Sequence, residues 1–217
     1  MRLVLLGPPG AGKGTQAEVL SAEYEIPHIS TGDILREAVR EETEIGKEVN
    51  SFMERGELVP DNIVTEIVVN RVAKPDASRG FILDGYPRNK GQAESLDKAL
   101  EGKKIRIDRV LYFKTSQSVI IKRLSGRRVC PKCNSIYHLK NNPPKKDEIC
   151  DRCASKLLQR KDDKEDTVKK RLAVYKEAEE GLLGYYKTKN ILKEVSGDLS
   201  AEKLFRSLKA SFKKEGP

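Results

Sequence analysis

Residues 7–15 read Gly7-Pro8-Pro9-Gly10-Ala11-Gly12-Lys13-Gly14-Thr15, directly after the apolar run Leu3-Val4-Leu5-Leu6 and ahead of an amphipathic stretch from Lys13 to Tyr24. In that setting glycines let the backbone curl until successive N–H groups and a helix N-terminus point at one anion, while Lys13 adds a full positive charge. The chemistry implied is the binding of a polyphosphate. The common pattern sets Ser or Thr directly after the Lys, whereas here Gly14 intervenes and Thr15 follows. A Gly-rich turn that binds nothing is the bland alternative, and strand, loop, Lys and helix in one run argue against it.

A second element ends the apolar run Phe81-Ile82-Leu83 on Asp84. In open α/β sheets the carboxyl ends of the strands face the ligand. Asp84 is thus a candidate to hold Mg²⁺ through its water shell, the other reading being a strand-end Asp that caps a turn. Four cysteines carry a third signal. Cys130 and Cys133, then Cys150 and Cys153, form two Cys-x-x-Cys pairs with 16 residues between them, the spacing of a zinc ribbon. Four thiolates close the shell of Zn²⁺ and leave no open position, so such a metal is structural. Two disulfides are the alternative, disfavoured where thiols are kept reduced.

These residues must be positioned by a scaffold. Strand-like runs at Leu3 to Leu6, Pro27 to Ile29, Gly80 to Leu83, Val110 to Phe113 and Ile191 to Val195 alternate with amphipathic segments at 13–24, 61–72, 92–100, 116–124 and 166–186, and a last helix spans 201–212. Strand and helix in repetition predict a parallel sheet covered on both faces. Two stretches break the rhythm. Residues 31–59 read as two short helices, Ile34 to Glu42 and Gly46 to Arg55, closed by Gly56 and Pro60. Residues 126–163 hold all four cysteines and little helical periodicity. Both are candidate insertions that close over a ligand.

The 217 residues fit one compact α/β domain with small insertions. A hydrophobic fraction of 37% beside a charged fraction of 35% excludes a disordered or membranous chain. No window resembles a membrane span, and Gly7-Pro8-Pro9 interrupts the first apolar run too early for a signal peptide, so a cytoplasmic protein without membrane contact is expected. The net charge of +9 suits nucleic acid or a small substrate with several phosphates, and most of the lysines read as a solvated surface.

Gly-x-Pro-Gly-x-Gly-Lys-Gly-Thr at 7–15, Ser30-Thr31-Gly32-Asp33, and Asp84-Gly85-Tyr86-Pro87-Arg88 with Gln92 together resemble the adenylate kinases. Gly126-Arg127-Arg128, Arg160-Lys161-Asp162-Asp163 and Lys170-Arg171-Leu172 continue the match in the family's order, over essentially the whole chain. The resemblance implies a P-loop fold with a five-stranded parallel sheet flanked by helices. The core would comprise residues 1–30, 60–125 and 164–217, with an AMP-binding insertion at 31–59 and a zinc-binding lid at 126–163. It further implies Mg-dependent phosphoryl transfer from ATP to AMP, giving two ADP, in a monomer.

Residue by residue, the resemblance assigns ATP to Gly10, Ala11, Gly12, Lys13, Gly14, Thr15, Arg123, Arg127, Ile136, Tyr137 and Leu199. It assigns AMP to Thr31, Arg36, Met53, Glu57, Leu58, Val59, Gly85, Tyr86, Pro87, Arg88, Gln92, Arg160 and Arg171. Lys13, Arg88, Arg123, Arg160 and Arg171 are the implied catalytic cations, and zinc falls to Cys130, Cys133, Cys150 and Cys153. The chemistry agrees, because two polyanions brought into line need fixed cations around the transferring group, and arginine binds phosphate bidentately. The nucleophile, a phosphate oxygen of AMP, is already anionic, so no general base is required, and His28 reads as structural. Gln92 would read the acceptor base, and stacking on Arg123 the donor base. Tyr86 stands where many relatives carry Phe, a change that adds a hydroxyl.

Two other functions fit less of the sequence. One is a nucleoside monophosphate kinase with another acceptor, which Gln92 disfavours, or with GTP as donor. A nucleic-acid-binding ATPase that grips a strand with its ribbon would want stacking aromatics there, and Tyr137 alone is offered, with no Trp in the chain.

Overall fold

The computed structural model describes residues 1–215. In chain order the elements are β1 (Arg2–Leu6), α1 (Lys13–Tyr24), β2 (His28–Ser30), α2 (Thr31–Arg40), α3 (Glu44–Arg55), α4 (Asp61–Val72), β3 (Phe81–Asp84) and α5 (Lys90–Glu101). There follow β4 (Arg109–Lys114), α6 (Gln117–Ser125), β5 (Arg127–Val129), β6 (Ile136–His138), α7 (Glu165–Thr188), β7 (Leu192–Ser196) and α8 (Ala201–Glu215). The five strands expected from the apolar runs form one sheet of order β2-β3-β1-β4-β7, parallel throughout. This is the α/β P-loop architecture that the sequence led us to expect.

The three central strands, β3, β1 and β4, are apolar at successive positions because both faces are covered. Leu3, Leu5, Ile82, Leu111 and Phe113 pack on one side against Ala17 and Leu20 of α1 and Leu204, Leu208 and Phe212 of α8. Val4, Leu6, Phe81, Leu83 and Val110 pack on the other against α4, α5 and α7 through Val68, Leu96, Leu182 and Tyr186. Order β2-β3-β1-β4-β7 places the crossover reversal beside β1, so the loop after β1 and the end of β3 meet at one sheet edge.

Both segments that break the alternation depart from the sheet. In 31–59, α2 starts one turn earlier than periodicity suggests because Ser30 caps it, accepting from the N–H of Asp33 at 3.2 Å. Thr43 caps α3 by accepting from the N–H of Gly46 at 3.1 Å. Gly46 has no room for a side chain, since a Cβ there would lie 2.0 Å from the carbonyl oxygen of Ala38. In 126–163 the regular structure is the antiparallel pair β5–β6 with four isolated bridges. Among the described residues, no helix is long and apolar enough to cross a membrane.

Candidate functional site: a cationic cleft between loop and insertions

The loop after β1 turns back on itself, with the N–H of Ala11 donating to Pro8 O at 3.2 Å. Gly10 and Gly12 take φ of +80° and +92°, a region costly for other residues, and α1 begins at Lys13. Lys13 Nζ folds over this curl and donates to Gly7 O at 2.7 Å and Pro8 O at 2.9 Å. Burial, opposed by Asp84 and reinforced by Arg88, Arg171 and Arg127, lowers its pKa from 10.5 to about 8. The loop is a cradle with a loosely held proton.

Around the cradle the structure gathers arginines from four elements. Arg36 on α2, Arg88 after β3 and Arg171 on α7 line one cleft with Lys13, Met53 and Tyr175. Arg160, at the end of the 126–163 segment, stands behind Arg36, its Nη2 3.4 Å from the Asp33 Oδ1 that Arg36 also holds. Burial and then neighbouring arginines push Arg88 and Arg160 down to about 10. Arg160 Nε is buried without a partner. Crowded cations with an unsatisfied donor are what a phosphate would relieve.

Carboxylates hold these arginines in place. Asp33 pairs with Arg36 as well as Arg160, Arg127 forms a bidentate pair with the fully buried Asp163, and Arg171 Nη1 lies 3.0 Å from Asp162 Oδ2. Among the described residues Arg88 has no carboxylate contact, and it donates through Nε to Gly85 O at 2.8 Å. Of these acidic residues, all stood in the quoted motifs but none was expected as a counter-ion. Tyr175 was missed altogether. It lies one helical turn beyond Arg171, on the same face, and that spacing was the available signal.

Asp84 ends β3 beside the cradle: a Cβ on Gly14 would sit 3.4 Å from its Oδ2. Burial works against its charge, but His28, with Nε2 at 3.4 Å, and Lys13 hold its pKa below the usual carboxylate value. An ionised carboxylate next to a phosphate cradle fits a hydrated Mg²⁺. His28 is a buried neighbour of that carboxylate.

On the donor side, Arg123 clamps two loops. Its Nη1 donates to Ala11 O at 3.2 Å and Gly197 O at 2.7 Å, and its Nη2 to Leu199 O at 3.1 Å. Ile136 of β6 hangs over the cradle, 3.8 Å from where a Cβ on Gly14 would be. The neighbouring Tyr137 turns the other way. Alternation along β6 turns its side chain into the lid, where it packs with Cys130, Cys150 and Leu157 and accepts from the N–H of Asp151 at 2.8 Å.

On the acceptor side, Met53, Glu57, Leu58, Gly85, Pro87 and Arg88 line the cleft. The side chains of Thr31, Val59, Tyr86 and Gln92 are buried behind that lining. The Tyr86 hydroxyl is not idle there: it lies 2.8 Å from Thr65 Oγ1 and donates to Gln92 O at 3.1 Å. Gln92 spends one amide function each on Arg88 and Asp61.

The four cysteine Sγ atoms lie within 4.8 Å of one another, with Cys130 and Cys153 3.3 Å apart and Cys133 and Cys150 3.5 Å apart. A disulfide needs about 2.05 Å. Tetrahedral thiolates around Zn²⁺ at about 2.3 Å need S–S edges of about 3.8 Å, so the donor set fits that ion.

A phosphate loop at the switch point of a parallel sheet, faced by a carboxylate and a ring of arginines, defines a P-loop phosphotransferase for nucleotides. A family model described as adenylate kinase matches residues 5–191. The chain is 48% identical over 216 residues to the adenylate kinase of a Thermoanaerobacter species, with 100% of both chains covered. It is 55% identical over 192 residues to that of Caldicellulosiruptor bescii, covering 88% of this chain and 89% of that one, and 48% identical over 214 residues to that of Archaeoglobus fulgidus, covering 99% of each. The chain belongs to the adenylate kinase family.

Proposed function

We propose that the cleft carries reversible Mg-dependent transfer of the terminal phosphoryl group of ATP to AMP, yielding two ADP. The observation that carries this reading is the convergence of Lys13, Arg36, Arg88 and Arg171 on one cleft between the phosphate loop and the 31–59 insertion, with Arg160 held beside Arg36 by their shared partner Asp33. The loop residues 10–15 bind the donor phosphates through backbone N–H groups, with Arg123 and Leu199 at the donor base and Arg127 above. Arg36 and Arg88 hold the acceptor phosphate. Arg160 and Arg171 bridge both substrates, exchanging Asp33 and Asp162 for phosphate oxygens. Bound Mg²⁺, held through water by Asp84, supplies charge neutralisation on the donor phosphates.

The chain's own work is positioning and electrostatics, since no proton needs to leave the nucleophile. Closing the insertions keeps water from the reactive phosphate, which separates a kinase from a wasteful hydrolase. Arg40 Nη1 donating to Pro131 O at 2.7 Å and Lys161 Nζ 3.2 Å from Glu54 Oε1 are contacts of the closed arrangement. We assign the core to 1–30, 60–125 and 164–217, the acceptor insertion to 31–59 and the lid to 126–163, with one structural Zn²⁺ on Cys130, Cys133, Cys150 and Cys153.

A coupled assay over a panel of nucleoside monophosphates and triphosphates, with and without Mg²⁺, tests the reading. AMP should exceed GMP, CMP and UMP by at least about a hundredfold in kcat/KM. Preference for a pyrimidine acceptor would overturn it.

A further inference from the structure

The residue assigned to read the acceptor base is held by a carboxylate that itself lies outside the cleft lining. Gln92 is 1% exposed, and its amide makes two hydrogen bonds. The amide oxygen accepts from the N–H of Arg88 at 2.7 Å, and Nε2 donates to Asp61 Oδ1 at 2.7 Å. Asp61, the first residue of α4, also accepts from Asn89 Nδ2 with both oxygens at 3.1 Å. Asn89 Oδ1 in turn caps α5 by accepting from the N–H of Gln92 at 2.8 Å.

The two ends of the amide are therefore told apart. A carboxylate only accepts, and a backbone N–H only donates. Turning the amide by 180° would set its oxygen against Asp61 and its NH₂ against the Arg88 N–H, converting two partly buried hydrogen bonds into two repulsive contacts. After its two bonds the amide retains one N–H and one oxygen lone pair. Adenine offers that pair an acceptor ring nitrogen beside a donor amine, whereas a 6-oxopurine offers a donor ring N–H beside an acceptor carbonyl. An amide free to turn could match either edge, and one that cannot turn matches only one.

We propose that Asp61 is a positioning residue for acceptor specificity: with the Arg88 N–H as its counterpart, it fixes the Gln92 amide in the adenine-matching orientation and so excludes 6-oxopurine monophosphates. The exclusion is a repulsive element built against the wrong substrate. It rests on the reading of Gln92 as the residue that faces the acceptor base.

The test is steady-state kinetics with AMP and IMP as acceptors, IMP differing at the read edge without an added 2-amino group, on wild type, Asp61→Asn and Gln92→Ala. Asn at position 61 can accept or donate, so one of the two contacts that oppose the turned Gln92 amide is removed and the Arg88 N–H alone opposes it. Asp61→Asn should raise kcat/KM for IMP relative to AMP by about tenfold, through acceptor KM, with kcat on AMP and KM for ATP within about twofold of wild type. Loss of stability alone would not move that ratio. If Asp61→Asn melts low, Asp61→Ser, whose hydroxyl also accepts or donates, carries the same expectation. If Gln92→Ala erases the preference for AMP over IMP while the Asp61 variants keep it as in wild type, the positioning role is overturned and the reading of Gln92 survives. If Gln92→Ala leaves the preference unchanged, both fall.

Discussion

The two insertions fold over the same cleft but are held by different physics. The 31–59 segment shares the main core: Leu35, Val49 and Val59 belong to the same buried cluster as Val4, Leu6 and Leu83 of the sheet, with Val39, Phe52 and Met53 packed against it. The 126–163 segment has a buried cluster of its own, made of Cys130, Tyr137, Cys150 and Leu157, with Cys133 and Cys153 at its edge. Burying so few groups does not offset the ordering of nearly forty residues, at roughly 1–2 kcal/mol each for the backbone. The Zn²⁺ proposed for the four thiolates would supply what burial cannot, about 10 kcal/mol or more in small zinc modules. One insertion is thus an extension of the core and the other a separate unit tied on by its cysteines and by the Arg127–Asp163 pair at its base.

The largest expected effects lie where the two insertions meet the loop they serve. Lys13→Ala and Arg88→Ala should each lower turnover by about a hundredfold or more, because both charges act on the phosphates in the transition state. Unchanged circular dichroism spectra would confirm that the fold is retained. Near-normal turnover in either variant would remove the common site from the comparison.

Next in size is the effect of the metal. Cys130→Ser with Cys133→Ser, or chelation of the wild type, should release about one zinc per chain, lower the melting temperature and raise amide hydrogen exchange across 126–163 while sparing 31–59. Kinase activity should persist at temperatures where the lid still closes. Wild-type protein without thiolate-bound metal would contradict the assignment, as would loss of activity while the lid stays folded.

A matched pair of core truncations sharpens the contrast. Val49→Ala, in the shared core, should destabilise the whole molecule by about 2 kcal/mol. Leu157→Ala removes more buried carbon, yet it should loosen the lid in hydrogen exchange and leave the main melting transition nearly in place. Equal shifts of the main transition would show that the lid is part of the global cooperative unit.

The smallest effect concerns pH and belongs to the loop alone. In the free enzyme Lys13 loses its charge near pH 8, so kcat/KM for ATP should decline several-fold between pH 8 and 9. The stability sign is opposite. The unfolded chain holds that proton up to about 10.5 and the folded chain only to about 8, so the Lys13 contribution to stability rises with pH across that window. A lid variant should keep the same kinetic profile, and a flat one in wild type would refute the assignment.

Much of this was legible in the chain because the signals were local. Helix α1 and helix α4 begin and end where periodicity placed them, whereas α2 begins three residues earlier than expected, where Ser30 caps a turn that carries no apolar pattern, and ends at Arg40 rather than Glu42. The phosphate loop is a property of nine consecutive residues. The cysteine pairs announced a tetrahedral donor set, and the structure brings their sulfurs together. The direction of the Tyr137 ring was not legible, because alternation along β6 depends on which face of a short hairpin meets the lid's own core.

The sequence by itself determined the class of site, since glycine conformations, a loop lysine and thiol spacing act over a few bonds and need no partner from afar. Only the tertiary structure decided which carboxylate holds which arginine, and that Gln92 stands between Arg88 and Asp61. Those pairings join residues up to 127 positions apart, as Arg160 and Asp33 are. Hydrogen bonds and ion pairs depend on ångström separations and on donor direction, and folding alone sets both.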